Sequence, residues 1–559
     1  MNIRILIIFF LAFNFSYGQH NINADSLRGS LRFQRTCFDV TYYDLHVTIN
    51  PISKSISGSN HIHFIGKAVS NQIQIDLFRQ FEISNLTLQI PLDNDGDIFE
   101  KFSLKYQRVE DAIFIDLPEK LKVGSNYILS ISYFGEPNVA KRAPWDGGFV
   151  WGKDSLKRDF VGVACEGHGA SSWWPCKDHL SDEPDSMKMT YTVPNGYDCI
   201  SNGVNTRRGI DTTQSDYLPN NVFEWKVSYP INTYNVSFYL GKYKEIQGNY
   251  VSNDDTLKTS FYALDYNEVK ARKQFEQVNP MLRIYEDLFG KFPFWNDGYK
   301  LVEAPYLGME HQTAIAYGNG YQNGYRGNQP KGVDFDYIII HETGHEYWGN
   351  SISMEDIADM WIHESFCTYT EVLYAEKMYG KDVALNYLRR QRQGISNDKP
   401  IIGEYGINKE GSGDMYNKGS WVLHTLRNIV DNDSLWFATL KSFHEDFRLK
   451  SANSEMVFNW FELKLGKDAR YIMERYLTKA DIPILEYKTK RFLWMRKVEF
   501  RWKQEEVGFN MPIEILEGDN ILKVIPTSNW RKIKVSSFDK MRSLFNWKPF
   551  LYDIAEVKK

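Results

Sequence analysis

Cysteine is scarce in this chain, and its spacing excludes the common cysteine-based zinc sites. The 559 residues contain five cysteines, and no two of them form a CxxC pair. A metal site built on thiolates is therefore not expected. Two interpretations stay open for the cysteines: a disulfide between Cys165 and Cys176, which an oxidising compartment would permit, or buried free thiols.

The chain also lacks a marked charge excess, a low-complexity tract and an internal repeat. With 66 Lys and Arg against 71 Asp and Glu, the net charge is -5. This balance offers no basic footprint, so a nucleic-acid partner is not expected. Beyond the N-terminus no apolar run reaches the roughly 18 residues of a membrane span. The length and the 43% hydrophobic content predict an ordinary globular protein of several domains.

The N-terminus has the pattern of an export signal. Arg4 precedes the apolar run Ile5 to Phe13, and the small residues Ser16 and Gly18 follow. A charged start, a short apolar core and small residues before a cleavage site are typical of a signal peptide. We expect residues 1–18 to be a signal peptide and the protein to be periplasmic or extracellular. The alternative is a buried N-terminal strand or helix.

Hydrophobic patterning divides the rest of the chain into three parts. Alternating segments such as FDVTYYDLHVTINP predict strands, and hence an antiparallel β domain, over residues 19–246. Helical spacing dominates residues 247–487, beginning with a predicted helix that ends at Gly290. Residues 488–559 return to strands, where Val498, Phe500 and Trp502 alternate with charged residues. The sequence predicts an α+β multidomain protein.

The segment HETGHEYWGN carries the first chemical motif. His341 and His345 lie four residues apart in a segment with helical character, with Asp334 or Asp336 near its start. This spacing places two imidazoles on one face of a helix, one turn apart, where they can bind one metal ion. Glu342 is not placed to be a ligand but can accept a proton from an attacking water. We therefore predict a single zinc ion and a glutamate general base.

A catalytic zinc ion usually has a third protein ligand and one open position. Glu364, in the second helical segment WIHES, follows His345 by nineteen residues, which is enough chain to bring the two helices side by side. We predict Glu364 as the third ligand. Glu371 shares its helix face and is expected either to be solvated or to lie behind the ligands. Cys367 is expected only to pack.

Together these segments resemble a known family. HETGHEYWGN followed by WIHES is similar to the HExxH-and-distant-glutamate signature of the gluzincin aminopeptidases, the family of aminopeptidase N and the leukotriene epoxide hydrolase/aminopeptidase. MYNKGSWVLHTLR resembles the family segment that supplies a transition-state tyrosine, which implies this role for Tyr416. VACEGHGASSWWPCKDHLSDEPDS resembles the segment with a substrate-facing carboxylate, here Glu166. PYLGMEHQ resembles the family's exopeptidase motif, which implies substrate contacts for Gly308, Met309 and Glu310.

The resemblance implies a saddle-like N-terminal β domain, a thermolysin-like catalytic domain and a small C-terminal β-sandwich. It implies a zinc-dependent aminopeptidase acting on peptides with a free N-terminal amine. Two carboxylates beyond the zinc, Glu310 and Glu166, would bind the substrate's α-ammonium by charge-assisted hydrogen bonds. Because the chain ends at Lys559, the helical C-terminal domain of longer members is expected to be missing.

Two departures from the family motif bear on specificity. Leu307 stands where the family has its first glycine, and His311 stands where it has asparagine. Leu307 is expected to change how the backbone approaches substrate, and His311 to alter a subsite or its pH response. Three alternatives stay open: an epoxide hydrolase, an endopeptidase, and a non-catalytic peptide-binding module. The preferred N-terminal residue and the oligomeric state are not predicted.

Overall fold

The computed structural model describes residues 24–91, 99–211, 220–253, 255–492, 495–503, 509–517, 520–535, 545–546 and 549–557. The predicted signal peptide lies outside these residues. Within the described part of the chain, every helix is too short or too polar to cross a bilayer.

The first domain is built on one large sheet. Its central strand, Phe38–Asn50, alternates buried and half-buried residues, as a strand covered on one face should. This strand pairs antiparallel with Ser55–Gly66 but parallel with Ser186–Val193. In spatial order the eight strands are Val204–Asp211, Asn220–Val227, Ser186–Val193, Phe38–Asn50, Ser55–Gly66, Asn126–Gly135, Phe81–Pro91 and Phe99–Ser103.

Two smaller sheets complete this domain. The four-stranded sheet carries the loop that follows strand Asp159–Ala164, and this loop contains Glu166. Its strands are, in spatial order, Asp198–Ser201, Phe238–Gly241, Asp159–Ala164 and Gly148–Lys153; the three-stranded sheet consists of Gln72–Asp76, Ala112–Asp116 and Tyr106–Val109.

A five-stranded sheet begins the catalytic part. Strand Asp255–Leu264 pairs with Tyr243–Ser252 and, in parallel, with Tyr299–Glu303. The two remaining strands are Ile315–Tyr317 and, at the edge, Gly308–Met309. The boundary predicted after residue 246 therefore falls inside a strand that pairs with its C-terminal neighbour. The short edge strand is the one that enters the site.

Helices pack on this sheet. The single helix predicted up to Gly290 is two helices, Glu268–Phe275 and Val278–Phe289. Pro280 explains the break, because its ring excludes the helical position of the carbonyl four residues earlier. The other helices are Tyr337–His345, Trp361–Tyr379, Lys381–Gln393, Asn417–Val430, Asp433–Phe447, Ser454–Leu465 and Lys467–Leu477.

The C-terminal strands form two small sheets that share a core with the catalytic part. Val498, Phe500 and Trp502 are buried, as their alternation predicts. Glu499, expected on the solvated face, is also buried and lies 3.1 Å from Lys488. The first sheet has, in spatial order, the strands Arg531–Val535, Met495–Trp502, Ile484–Phe492 and Asp553–Glu556. The second sheet has the strands Asn520–Val524, Ile513–Glu517 and Phe545–Asn546.

Candidate active site

The helix Tyr337–His345 holds the two histidines of the HExxH motif side by side. Its N-terminus is capped by Asp336, whose side chain accepts a hydrogen bond from the amide of Ile338 at 3.0 Å. The Nε2 atoms of His341 and His345 lie 3.3 Å apart. The four-residue spacing thus brings both imidazoles to one point, as predicted.

Glu364 reaches the same point from the neighbouring helix, Trp361–Tyr379. Its Oε2 atom lies 3.5 Å from the Nε2 atom of His341 and 3.5 Å from that of His345. This oxygen is buried, yet within the described residues it accepts no hydrogen bond. A buried carboxylate oxygen without a donor is costly unless a cation binds it.

The outer face of each imidazole is already engaged. The Nδ1 atom of His341 donates to Glu371 at 2.6 Å, and that of His345 donates to the carbonyl of Trp348 at 2.9 Å. With Nδ1 donating, the lone pair of each Nε2 points to the centre. Two nitrogens and one carboxylate oxygen around a common point form a ligand set that fits Zn²⁺.

The structure decides between the two expectations for Glu371. Its side chain is buried, and besides His341 it accepts a hydrogen bond from the Tyr387 hydroxyl at 2.6 Å. Glu371 therefore lies behind the ligands and is not solvated. Cys367 packs as expected, with its thiol donating to the carbonyl oxygen of His341 at 2.8 Å.

Glu342 lies against the edge strand Gly308–Met309. A Cβ atom added at Gly308 would lie 2.6 Å from Oε1 of Glu342, so glycine is required for this close approach. Among the residues that the structure describes, the strand pairs on one side, with Ile315–Tyr317. Its free edge can pair with an extended peptide beside the Glu342 carboxylate. Burial raises the pKa of Glu342 to about 7.

Tyr416 stands at the start of the helix Asn417–Val430 and joins the same cluster. Its hydroxyl donates to Oε1 of Glu364 at 2.9 Å. The preceding residue is fixed too, because Ser365 donates to the carbonyl of Met415 at 2.7 Å. The tyrosine hydroxyl is thereby held next to the ligand set.

Glu166 and Glu310 converge although they come from different domains. Carboxylate oxygens of both, together with a ring nitrogen of His363, lie within 4.8 Å of one another. A carboxylate oxygen of Glu310 also lies within 4.8 Å of Glu342 and His345 ligand atoms. Oε1 of Glu166 is buried and, within the described residues, has no hydrogen-bond partner. Burial and the nearby Glu310 carboxylate raise the pKa of Glu166 well above its ordinary value.

Several groups of this site were not found from the sequence. Tyr234 donates to Oε1 of Glu310 at 3.2 Å, and Asn350 donates to the Glu310 carbonyl at 2.7 Å. The amide of Met354 donates to Nε2 of His363 at 2.9 Å, which places the ring proton on Nδ1. Asn350 and His363 lie inside the quoted zinc segments, but no spacing rule distinguishes them. Tyr234 gave no indication at all.

The two departures from the family motif have a plain structural account. His311 is fully buried against Tyr239, and burial lowers its pKa to about 3. It therefore stays neutral at physiological pH, and the expected pH response at this position is wrong. The Leu307 side chain belongs to the core of the catalytic part.

Cys165 and Cys176 are buried free thiols, so the disulfide interpretation is also wrong.

The fold and the site bring two histidines and one glutamate to a common point, in an arrangement that fits a zinc ion. Comparison with known families agrees. The family model described as "Peptidase M1 N-terminal domain" matches residues 40–234, and the model described as "Peptidase family M1 domain" matches residues 274–476. The chain belongs to peptidase family M1, whose characteristic cofactor is zinc.

Individual relatives are distant. Leukotriene A-4 hydrolase of Xenopus laevis is 23% identical over 325 residues, which is 54% of this chain and 50% of that protein. Aminopeptidase N of Lactobacillus delbrueckii subsp. lactis is 21% identical over 81% of this chain and 52% of that protein. The chain spans about half the length of the curated relatives it matches.

Solved structures share the fold. An M1 zinc metallopeptidase of Deinococcus radiodurans, crystallised as a variant with a Tyr-Ser-Ala substrate, superposes with a TM-score of 0.64 at 20% identity. The match covers 80% of this chain and 95% of that one. A two-domain M1 zinc metallopeptidase bound to L-arginine superposes with a TM-score of 0.62.

Proposed function

We propose that this protein is a zinc-dependent aminopeptidase that releases the N-terminal residue of peptides. The observation that carries this proposal is the convergence of two carboxylates, the buried Glu310 and the half-buried Glu166, beside the residues that would bind zinc. Hydrolysis does not need them. Burial and the neighbouring Glu310 carboxylate disfavour the charged form of Glu166 and raise its pKa. A bound cation relieves this repulsion, and the α-ammonium of a peptide is such a cation.

The same pair disfavours an endopeptidase. An internal peptide bond brings no cation to this position, so binding it would leave the Glu166 and Glu310 carboxylates without a positive partner. The bound Tyr-Ser-Ala of the Deinococcus metallopeptidase supports a peptide with a free amine as the substrate class. No contact in the site specifically favours an epoxide substrate.

The chain's own residues account for the remaining chemistry. Zinc held by His341, His345 and Glu364 supplies a Lewis acid for the scissile carbonyl and the attacking water. Glu342 accepts the proton of that water and later delivers it to the leaving amine. The pKa of Glu342, raised by burial to about 7, suits a group that takes and returns a proton near neutral pH.

Tyr416 and the edge strand complete the geometry. The Tyr416 hydroxyl turns from Glu364 to the oxyanion, where one such donor is worth about 2.7–4 kcal/mol. Gly308 and Met309 offer their free strand edge to the substrate backbone. Glu310, the next residue along the chain, then receives the amine.

A substrate panel tests the proposal. Aminoacyl fluorogenic substrates and their N-acetylated versions are compared, with Glu342→Ala as the inactive control. We expect zinc-dependent hydrolysis of the free-amine set only. Equal cleavage of the acetylated set contradicts an aminopeptidase, and activity that persists in Glu342→Ala points to a contaminating enzyme.

We also propose that the protein is exported. The charged start, apolar run and small residues of positions 1–18 support a cleaved signal peptide. Cell fractionation with N-terminal sequencing of the mature protein tests this, and a mature chain that begins at Met1 contradicts it.

A further inference from the structure

Residues 24–36, here called the N-terminal segment, lie directly on the catalytic part of the molecule. The carbonyl of Asp25 accepts a hydrogen bond from the amide of Asn408 at 3.2 Å. Gly29 approaches the same loop so closely that an added Cβ atom would lie 2.4 Å from the carbonyl carbon of Ile407. The contact is thus backbone against backbone, and only glycine permits it.

The same segment is anchored in the first domain. Arg35 forms a buried ion pair with Asp76 at 2.7 Å. Asp76 in turn accepts a hydrogen bond from the amide of Asp178 at 3.2 Å. The Arg28 guanidinium donates to the carbonyl of His168, two residues from Glu166. The segment therefore connects the loop that carries Glu166 with the catalytic loop that carries Asn408.

These two loops and the segment enclose a small cavity. Its volume is about 40 Å³, and it is lined by Arg28 and Gly29 of the segment together with Glu166, Tyr234 and Asn408. Asn408 closes one side, because its Nδ2 donates to the carbonyl of Gly167 at 2.9 Å. The cavity therefore borders the amine-binding groups, since Tyr234 is the hydroxyl donor to Glu310.

A much larger cleft lies beyond the segment. Its volume is about 840 Å³, and the residues that line both the cleft and the small cavity are Gly29, His179, Glu355 and Asp356. His179 contacts the segment through a 3.2 Å hydrogen bond between its Nε2 atom and the carbonyl of Gly29. The segment thus separates a confined space at the amine site from an open one.

The amine and the side chain of an N-terminal residue are attached to the same α-carbon. The small cavity is lined by Glu166, so it lies next to one of the two carboxylates that are proposed to bind the amine. We propose that residues 24–31 form the outer wall of this subsite and limit the size of the N-terminal residue that the enzyme accepts. This inference rests on the proposed aminopeptidase function.

The substitution Gly29→Ala in the full-length protein tests whether residues 24–31 limit the size of the N-terminal residue. The new methyl group meets backbone atoms of Ile407 and Asn408 that cannot rotate away, so the segment must move off the catalytic loop. The small cavity then opens toward the cleft. We expect the ratio of kcat/KM for N-terminal Trp over N-terminal Ala substrates to rise about tenfold, the scale at which pocket size discriminates.

Phe33→Ala is the matched control, because this side chain lies in the same segment and is 54% exposed. Its selectivity ratio should equal that of the wild type. Asn408→Ala is the second variant, which enlarges the cavity without a steric clash. It should raise the Trp-to-Ala ratio in the same direction, with unchanged zinc content.

The outcomes separate the two proposals. The proposed role of residues 24–31 is refuted if the Trp-to-Ala ratio of kcat/KM stays unchanged in both variants. It is also refuted if activity falls uniformly on all substrates in both. If Gly29→Ala unfolds at a lower temperature, the ratio of Asn408→Ala decides. If the wild-type protein hydrolyses no aminoacyl substrate, that result contradicts the proposed aminopeptidase function and is distinct from a failure of the proposed subsite wall.

Discussion

Glu371 offers the sharpest test of how the metal ligands are held. The substitution Glu371→Gln keeps the shape of the side chain and removes its charge. In the wild type the carboxylate is 2% exposed and accepts hydrogen bonds from His341 Nδ1 and the Tyr387 hydroxyl, both at 2.6 Å. The amide oxygen of glutamine can still accept from His341, so the ring stays in place.

The expected loss is in metal affinity. A carboxylate behind a histidine ligand makes the imidazole a stronger donor, and removing such a partner typically weakens binding about 10–100-fold. This corresponds to about 1.4–2.7 kcal/mol, because each factor of ten is about 1.4 kcal/mol. We expect Glu371→Gln to fall in this range and to recover much of its activity when zinc is saturating.

Competition with a chelator of known affinity measures the zinc dissociation constant of each variant. Tyr387→Phe is the matched control, since it removes one hydrogen bond to Glu371 but leaves the charge beside His341. Its zinc affinity should change less than that of Glu371→Gln. Equal affinities for wild type and Glu371→Gln would refute the reasoning, as would a larger effect in Tyr387→Phe.

Four further substitutions test individual residues of the site and the fold. Glu310→Ala should lower kcat/KM for free-amine substrates while zinc content and unfolding temperature keep their wild-type values; a fall in either of these would indicate misfolding instead. Tyr416→Phe should reduce kcat about 100–1,000-fold with little change in KM; a loss confined to KM would contradict its role. Gly419→Ala places a methyl 1.9 Å from Oγ of Ser365 and should lower the unfolding temperature and the activity, whereas Gly413→Ala meets open space and should not. Burial raises the pKa of Glu183 to about 7, so the folded state binds the extra proton and stability falls as pH rises from about 4.5 to 7; Glu183→Gln should flatten that fall in thermal unfolding curves.

Local spacing was enough to predict that His341, His345 and Glu364 meet at one point, and the reason is geometric. Two histidines four residues apart must share a helix face, and the intervening chain lets Glu364 approach on the next helix. The break at Pro280 was missed, although proline excludes a helical carbonyl four residues earlier and so marks such a break. These features depend on neighbours along the chain.

The sequence did not predict which polar side chains of the site are buried. Glu371 shares a helix face with Glu364, but nothing local says whether that face meets solvent or the back of His341. His311 looked like a residue that titrates near neutral pH, and its complete burial against Tyr239 removes that property. Both outcomes depend on packing between elements that are distant in the chain.

The amine site depends most strongly on packing at a distance, because it exists only where two domains meet. Glu166 comes from the β domain and Glu310 from the edge of the catalytic sheet, and neither domain alone holds both. Hydrogen bonds join the two domains close to this site. Asn202 donates to the carbonyl of Gln312 at 2.7 Å, and Thr313 Oγ1 accepts from the amide of Gly203 at 2.8 Å. Holding two like charges together is unfavourable until a cation arrives, so substrate binding should strengthen the same interface that creates the site. The proposed selectivity for a free amine therefore depends on the docked domains, whereas the proposed hydrolysis depends on the two helices that carry His341, His345 and Glu364.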